Sequence, residues 1–275
     1  MRVAVVGHVE WVEFAQVTRV PAAGEIVHAG EVWQAPGSAG SVAAVQLVKL
    51  AGDASFYTAL GDDELGRRAE RRLSELGVRV KAVFRDEPQR RAFVYLDAAG
   101  ERTITVIGSR LGPRADDPLP WHELRETDAV YFTAGDAGAV RAARAARILV
   151  GTPRGIETLA ESGVELDALV ASGTDPDERY ERGALEPPPR LVVRTAGAAG
   201  GEWEEAGGRS GRWEATPPPG PVRDSYGAGD SFAAGLTHGL GSGMSGEDAL
   251  LLAARCGAAC VTGRGPYEGQ LRCAA

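Results

Sequence analysis

Asp224-Ser225-Tyr226-Gly227-Ala228-Gly229-Asp230-Ser231-Phe232 runs into the apolar helical pattern Ala233-Ala234-Gly235-Leu236. The small residues at 227–229 leave backbone N–H groups uncovered where a helix begins. Such groups, added to the positive end of the helix dipole, make an anion site. Asp230 then falls on the first turn, beside the anion. A carboxylate beside a phosphate is electrostatically costly. The cost makes sense if that carboxylate takes a proton from a hydroxyl attacking the phosphate. An Asp capping a helix after a Gly turn would explain Asp230 and one glycine. It would not explain Asp224 and both glycines at this spacing.

Outward from this stretch, the chain alternates short apolar runs with helical patterns. Val3–Gly7, Phe56–Leu60, Val78–Phe84, Ala129–Thr133, Ile148–Gly151, Ala168–Ala171 and Leu191–Arg194 read as strands. Ser38–Leu50 and Asp62–Leu76 have helical periodicity, the second stopping at Gly77. The alternation predicts an α/β fold, a mostly parallel sheet with helices on both faces. Arg91–Asp97 and Glu101–Ile107 alternate apolar and polar residues around Ala98-Ala99-Gly100, a hairpin. Glu202–Thr216 reads as a second, late hairpin. Ser245-Gly246-Glu247-Asp248 reads as a capping box, with Asp in place of Glu, opening a last helix to about Val261.

The bulk numbers narrow the function. The 275 residues suffice for one large domain, and the net charge of −8 argues against a general nucleic-acid surface. No apolar run approaches the roughly 20 residues that span a membrane. The strand-like N-terminus is too short for a signal peptide, and three cysteines fit a reduced, cytoplasmic protein. No Gly-x₄-Gly-Lys-[Ser/Thr] loop occurs, and Val5-Val6-Gly7-His8 at the first strand's end does not continue into Gly-x-Gly-x-x-Gly, so phosphate charge must be met by backbone amides, a metal and Arg.

The Asp-Ser-x-Gly-Ala-Gly-Asp run resembles the C-terminal signature of the ribokinase-like (PfkB) carbohydrate and nucleoside kinases, and the likeness extends over nearly the whole chain. It implies one ribokinase-like domain over residues 1–275, with a small β lid from segments about 10–34 and 91–107. It implies ATP and Mg²⁺ as cofactors and a sugar, nucleoside or similar polyol as substrate. Asp230 would be the general base, and the amides of Gly227, Ala228 and Gly229 would hold the transferring phosphoryl group. An apolar lid face would pair two copies in a homodimer.

Other segments extend the resemblance and depart from it. Pro36-Gly37-Ser38-Ala39-Gly40-Ser41 lies where the family has a Gly-Gly-x-x-x-Asn sugar-binding turn, so Gly37 and Ser41 are candidate substrate residues. Ser41 replaces an Asn that donates and accepts together, whereas Ser has one hydroxyl. Val12 stands where the family has a substrate-binding Asp, leaving Glu10 and Glu13 as nearby carboxylates. Glu10 is taken as the substrate residue, with Trp11 and the lid beside it. Asp175, with Glu178 as second candidate, lies where an Asn-x-x-Glu organises the metal's waters. Ser172 is the shorter residue at the Asn position. Thr195, Gly197 and Gly200 resemble the family's Thr-x-Gly-x-x-Gly nucleotide turn. Val150-Gly151-Thr152-Pro153-Arg154 keeps only the Arg of Asp-x-Asn-x-Arg. In Gly61-Asp62-Asp63-Glu64-Leu65-Gly66, Asp62 reads as a helix N-cap. The departures predict weak activity on ribose and fructose and a less polar or differently shaped acceptor. They also keep an alternative open: a non-catalytic or weakly active ligand-binding or regulatory protein on the same scaffold.

Overall fold

The computed structural model describes residues 1–273. Thirteen strands and six α-helices are found among them. The first strand, β1 (Val3–Val6), alternates its side chains between two cores. Val3 and Val5 enter one apolar cluster, Ala4 and Val6 the other. That is how a strand covered on both faces must read.

A nine-stranded sheet is built on β1. On one side it pairs with β4 (Ala54–Gly61), which pairs with β5 (Val78–Arg85). On the other side follow β8 (Ala129–Phe132), β9 (Ile148–Gly151), β10 (Ala168–Ser172) and β11 (Leu191–Thr195), all parallel. The late hairpin, β12 (Gly201–Glu205) and β13 (Ser210–Trp213), extends this edge antiparallel. Helices α1 (Ala39–Ala51), α2 (Glu64–Glu75), α5 (Ala228–Gly241) and α6 (Gly246–Cys260) cover one face. Helices α3 (Ala137–Ala143) and α4 (Ile156–Ser162) cover the other.

The lid is a separate four-stranded sheet, ordered β3-β2-β6-β7. It comprises β2 (Glu10–Gln16), β3 (Glu31–Gly37), β6 (Arg91–Leu96) and β7 (Arg102–Ile107). Its own core is Val12, Phe14, Ala92, Val94 and Leu96, closed from below by Val42 and Tyr226. Phe14 stacks on Trp33 at 5.1 Å and meets the edge of Tyr226 at 5.1 Å. Burying each large apolar side chain of this kind is worth about 1.5–3 kcal/mol. Ile104 and Val106 continue this face, exposed, on the edge strand β7, while Val32 and Ile107 are exposed on the opposite face.

Two local expectations need correcting. The cap of α2 is Asp63, whose carboxylate accepts from Gly66 N at 2.9 Å; Asp62 instead pairs with Arg67. Both acids can cap in principle. Asp63 has the extended backbone an N-cap requires. The capping box at Ser245 is only half made: Ser245 Oγ accepts from Asp248 N at 3.1 Å, but the Asp248 carboxylate accepts from the Ser245 hydroxyl at 2.7 Å instead of the Ser245 N–H.

Candidate active site

The parallel strands β1, β8, β9, β10 and β11 end on one side of the sheet, where open α/β sheets bind ligands. The turn 224–230 faces this edge. Gly227 has φ 82°, the left-handed conformation that starts α5 without a side-chain cap. Among the described residues, the N–H groups of Gly227, Gly229 and Asp230 have no protein acceptor, while Ala228 N makes a long 3.4 Å bond to Ser225 O. A Cβ at Gly229 would meet nothing within 4 Å, so the turn is open on that side. Asp224 is the buried anchor. Its two oxygens accept from Tyr226 N and Gly265 N, both at 2.8 Å.

The turn is also tied to the lid. Ser225 N donates to Gly100 O at 3.1 Å, at the tip of the β6–β7 hairpin. Arg102 on β7 donates to Ser225 O at 3.2 Å. The Tyr226 hydroxyl accepts from Ser38 N at 3.1 Å while its ring packs on Phe14. Ser38 is held at φ 90°, rare for a residue with a side chain, and its hydroxyl donates to His8 O at 2.6 Å. Three distant segments are thereby clamped together.

Among the carboxyl groups of the described residues, Asp230 carries the strongest electrostatic signature. Burial first, then the nearby charge of Glu178, pushes its carboxyl up to about 7, against the pull of Arg102 and Arg154. Arg154 follows β9 and pairs with both Asp175 (2.6 Å) and Glu178. Asp175 is thus engaged by Arg154 and caps the turn at Asp177 N. Glu178, and after it Glu10, are the acids that raise Asp230.

On the β1 side, Glu10 Oε1 lies 2.8 Å from Arg90 Nε and 3.6 Å from His8 Nε2. Burial raises the Glu10 carboxyl, but His8, Arg90 and Arg110 outweigh it and hold it low. Burial lowers His8 more than Glu10 raises it, so this imidazole is neutral. Glu10 therefore stands in the site as an ionised carboxylate.

The neighbouring candidates are placed otherwise. Ser41 is wholly buried, its hydroxyl donating to Ser38 O at 3.2 Å, so it presents no free group. A Cβ at Gly37 would lie 2.4 Å from Val12 and 2.6 Å from the Tyr226 hydroxyl, so packing requires this glycine. Val12 fills the lid core, and a carboxylate there would be buried without a partner. Trp11 is buried, donates weakly to Gln34 at 3.3 Å and lies under Arg68. The groups around Asp230 are charged: Glu178, Arg102, Arg154 and Glu10.

At the opposite end, Thr195 closes β11 and Gly197 opens a short 3₁₀ turn at φ 56°, with open space beside it. Gly200 is needed by the backbone: a Cβ there would lie 2.1 Å from Trp213 O. Ser172 Oγ accepts from Asp175 N at 2.9 Å and shapes the acidic loop.

With this geometry in hand, the comparisons are direct. The family described as pfkB family carbohydrate kinase matches residues 1–149 and 158–272. The chain belongs to the pfkB family of carbohydrate kinases. It is an ATP-dependent carbohydrate kinase. An ATP-dependent ribose-1-phosphate kinase of Halopiger xanaduensis is 29% identical over 279 residues, 94% of this chain and 91% of the relative. A fructokinase of Klebsiella pneumoniae is 37% identical over 89 residues, 32% of this chain and 28% of the relative. Ribokinase of Thermotoga maritima superposes with a TM-score of 0.78 at 19% identity, over 98% of this chain and 96% of the other. Arabidopsis thaliana ribokinase complexed with ribose and ATP gives 0.74 at 22%, over 98% and 95%. At these identities the two structures bear on the fold alone.

The pfkB signature led to Asp230 and its turn. It did not lead to Arg90, Arg102 or Arg110, which come from the lid and the loops flanking it. Arg-rich composition hides such residues, because most arginines here are surface charges. No helix among the described residues is long and apolar enough to cross a membrane.

Proposed function

We propose that this kinase transfers the γ-phosphoryl group of ATP to a hydroxyl of a sugar, nucleoside or similar polyol, with Asp230 as general base. The observation that carries this reading is a carboxyl titrating at about 7 at the open start of α5, beside unpaired backbone N–H groups. A base of that strength is half ionised near neutrality and can take the acceptor's proton as it attacks. The amides of Gly227, Ala228 and Gly229, with the helix dipole, would hold the phosphoryl charge. Arg102 and Arg154 are the cations that favour the ionised form of Asp230. Thr195, Gly197 and Gly200 would border the nucleotide.

Among the described residues no three His, Cys, Asp or Glu side chains form a metal cage. The donor set fits an ion that arrives on nucleotide phosphates and keeps its waters, with Glu178 and Asp175 in the outer shell. Mg²⁺ would there offset phosphate charge.

The test is acceptor-dependent ADP formation with Mg-ATP across sugars, sugar phosphates and nucleosides. At least one acceptor should raise ADP release 100-fold or more above the acceptor-free rate. If none does, although calorimetry shows Mg-ATP and an acceptor bound, the non-catalytic ligand-binding reading replaces this one. The exposed lid residues Ile104 and Val106, on one face of β7, offer the apolar surface for a homodimer. Sedimentation should give twice the 28.8 kDa chain mass, and a strict monomer at micromolar concentration removes the dimer.

A further inference from the structure

Helix α5 starts on the turn that carries Asp230, and its first turn is held from the far end of the chain. After α6 the backbone folds back over residues 261–271 and bonds to both α1 and α5. Gln270 makes the link between them. It is 4% exposed, and its Nε2 donates to Val42 O at 2.9 Å and to Ser231 Oγ at 3.2 Å. Ser231 is wholly buried and directly follows Asp230. Its own N–H donates to Gly227 O at 2.9 Å and so closes the first turn of the helix.

The other end of the turn is held from the same quarter. Cys260 Sγ, at the end of α6, lies 3.7 Å from both Tyr226 O and Pro266 O, as a weak donor. Residues 227–230 are thereby bracketed. Tyr226 before them and Ser231 after them each meet a buried polar side chain, while the N–H groups of Gly227, Gly229 and Asp230 stay open between.

The amide of Gln270 is not there for packing. Its Oε1 is buried with no donor. A buried polar atom left unpaired is destabilising, and a methionine of similar volume would fill the space without one. What glutamine adds is the pair of N–H bonds joining Val42 to Ser231.

We propose that Gln270 is a positioning residue: through Ser231 it fixes the first turn of α5, and with it the aim of the Asp230 carboxylate and of the open amides. This rests on the reading of Asp230 and its turn given above. Gln270 touches no reacting atom. The first turn of a helix has few bonds of its own, so without this donor it is free to rock against α1. A displacement of about 1 Å at a reacting centre can cost on the order of 10²-fold in rate.

The test is Gln270→Met, read with Mg-ATP and the best of ribose, fructose, ribose 1-phosphate and adenosine as acceptor. It should lower kcat at least tenfold, with both KM values within threefold and Tm unchanged or raised. Ser231→Ala removes the same hydrogen bond from the other side and should do likewise. The double variant should lose no more than the larger single loss, because both act at one link. Wild-type kcat in Gln270→Met, or losses that multiply in the double variant, would overturn the proposal. A kcat loss that comes only with a lowered Tm in both variants would make Gln270 a packing residue and overturn it too. Asp230→Asn separates this from the reading beneath it. If that variant loses rate and Gln270→Met does not, the positioning role fails alone. If Gln270→Met loses rate and Asp230→Asn does not, the base assignment fails alone and Gln270 keeps its role for the amides. A wild-type protein that turns over none of the four acceptors overturns both.

Discussion

Asp230→Asn is expected to lower kcat by about 10²–10⁴ while leaving the fold and nucleotide binding intact. Asn keeps the shape but cannot accept the proton. The pH profile tests the same assignment. Wild-type kcat/KM should climb with unit slope up to about 7, where Asp230 ionises in the free enzyme, and level off above. The residual activity of the variant should lack that limb. Stability moves the opposite way. The folded protein holds the Asp230 proton up to about 7, whereas the unfolded chain releases it near 3.8. The stabilisation linked to that proton is complete below pH 4 and lost as pH rises through 7. Asn removes the buried charge altogether. Asp230→Asn should therefore melt above wild type at pH 8, and the surplus should vanish near pH 4. A variant with near-wild-type kcat, or one that melts lower at pH 8, would remove Asp230 from this role.

Gly227→Ala should be the most damaging single methyl group in the turn. A left-handed residue with a side chain costs about 1–2 kcal/mol. The new Cβ would also lie 2.9 Å from Val42 and 3.2 Å from Pro266. Such overpacking typically adds about 1–3 kcal/mol. For a chain of this size that means a fall in Tm of roughly 5 °C or more, with kcat reduced because the N–H groups are re-aimed. Gly229→Ala is the informative contrast. Its Cβ meets no protein atom within 4 Å, so Tm should hold. The methyl group would instead stand where the phosphates dock and raise the KM for ATP. Equal melting losses in both variants, or an unchanged KM for ATP in Gly229→Ala, would mean that the open side of the turn is not the phosphate site.

The sheet was legible because a strand buried on both faces is apolar nearly throughout, as β1 is, with only Ser55 and Thr58 in β4 and Ser172 in β10 as exceptions. The anion turn was legible because Gly227, Gly229 and Asp230 lie within four residues, so spacing alone sets their geometry. The β1 end of the cleft was not. Arg90, Glu10 and His8 meet only through the register of the lid on the sheet, and no local pattern marks which arginines turn inward. Ser41 and Trp11 show a related limit. Periodicity gives a face but not what already occupies it: Ser38 O takes the Ser41 hydroxyl, and Arg68 covers Trp11. Strand β2 was seen only as part of a lid segment, because Glu10, Glu13 and Gln16 interrupt its apolar residues on both sides.

The clamp formed by Tyr226, Ser38, Phe14 and the hairpin tip bears on how this protein breathes. Exposing the amide of Ser38 requires the Tyr226 hydroxyl to leave. That movement unseats the ring from Phe14 and pulls on Asp224, which also secures Gly265. The hairpin tip follows through Gly100 and Ser225. These amides thus share one opening free energy and exchange their hydrogens as one cooperative unit. A molecule bound to any one of the three segments slows exchange in the other two, without a change of shape in between.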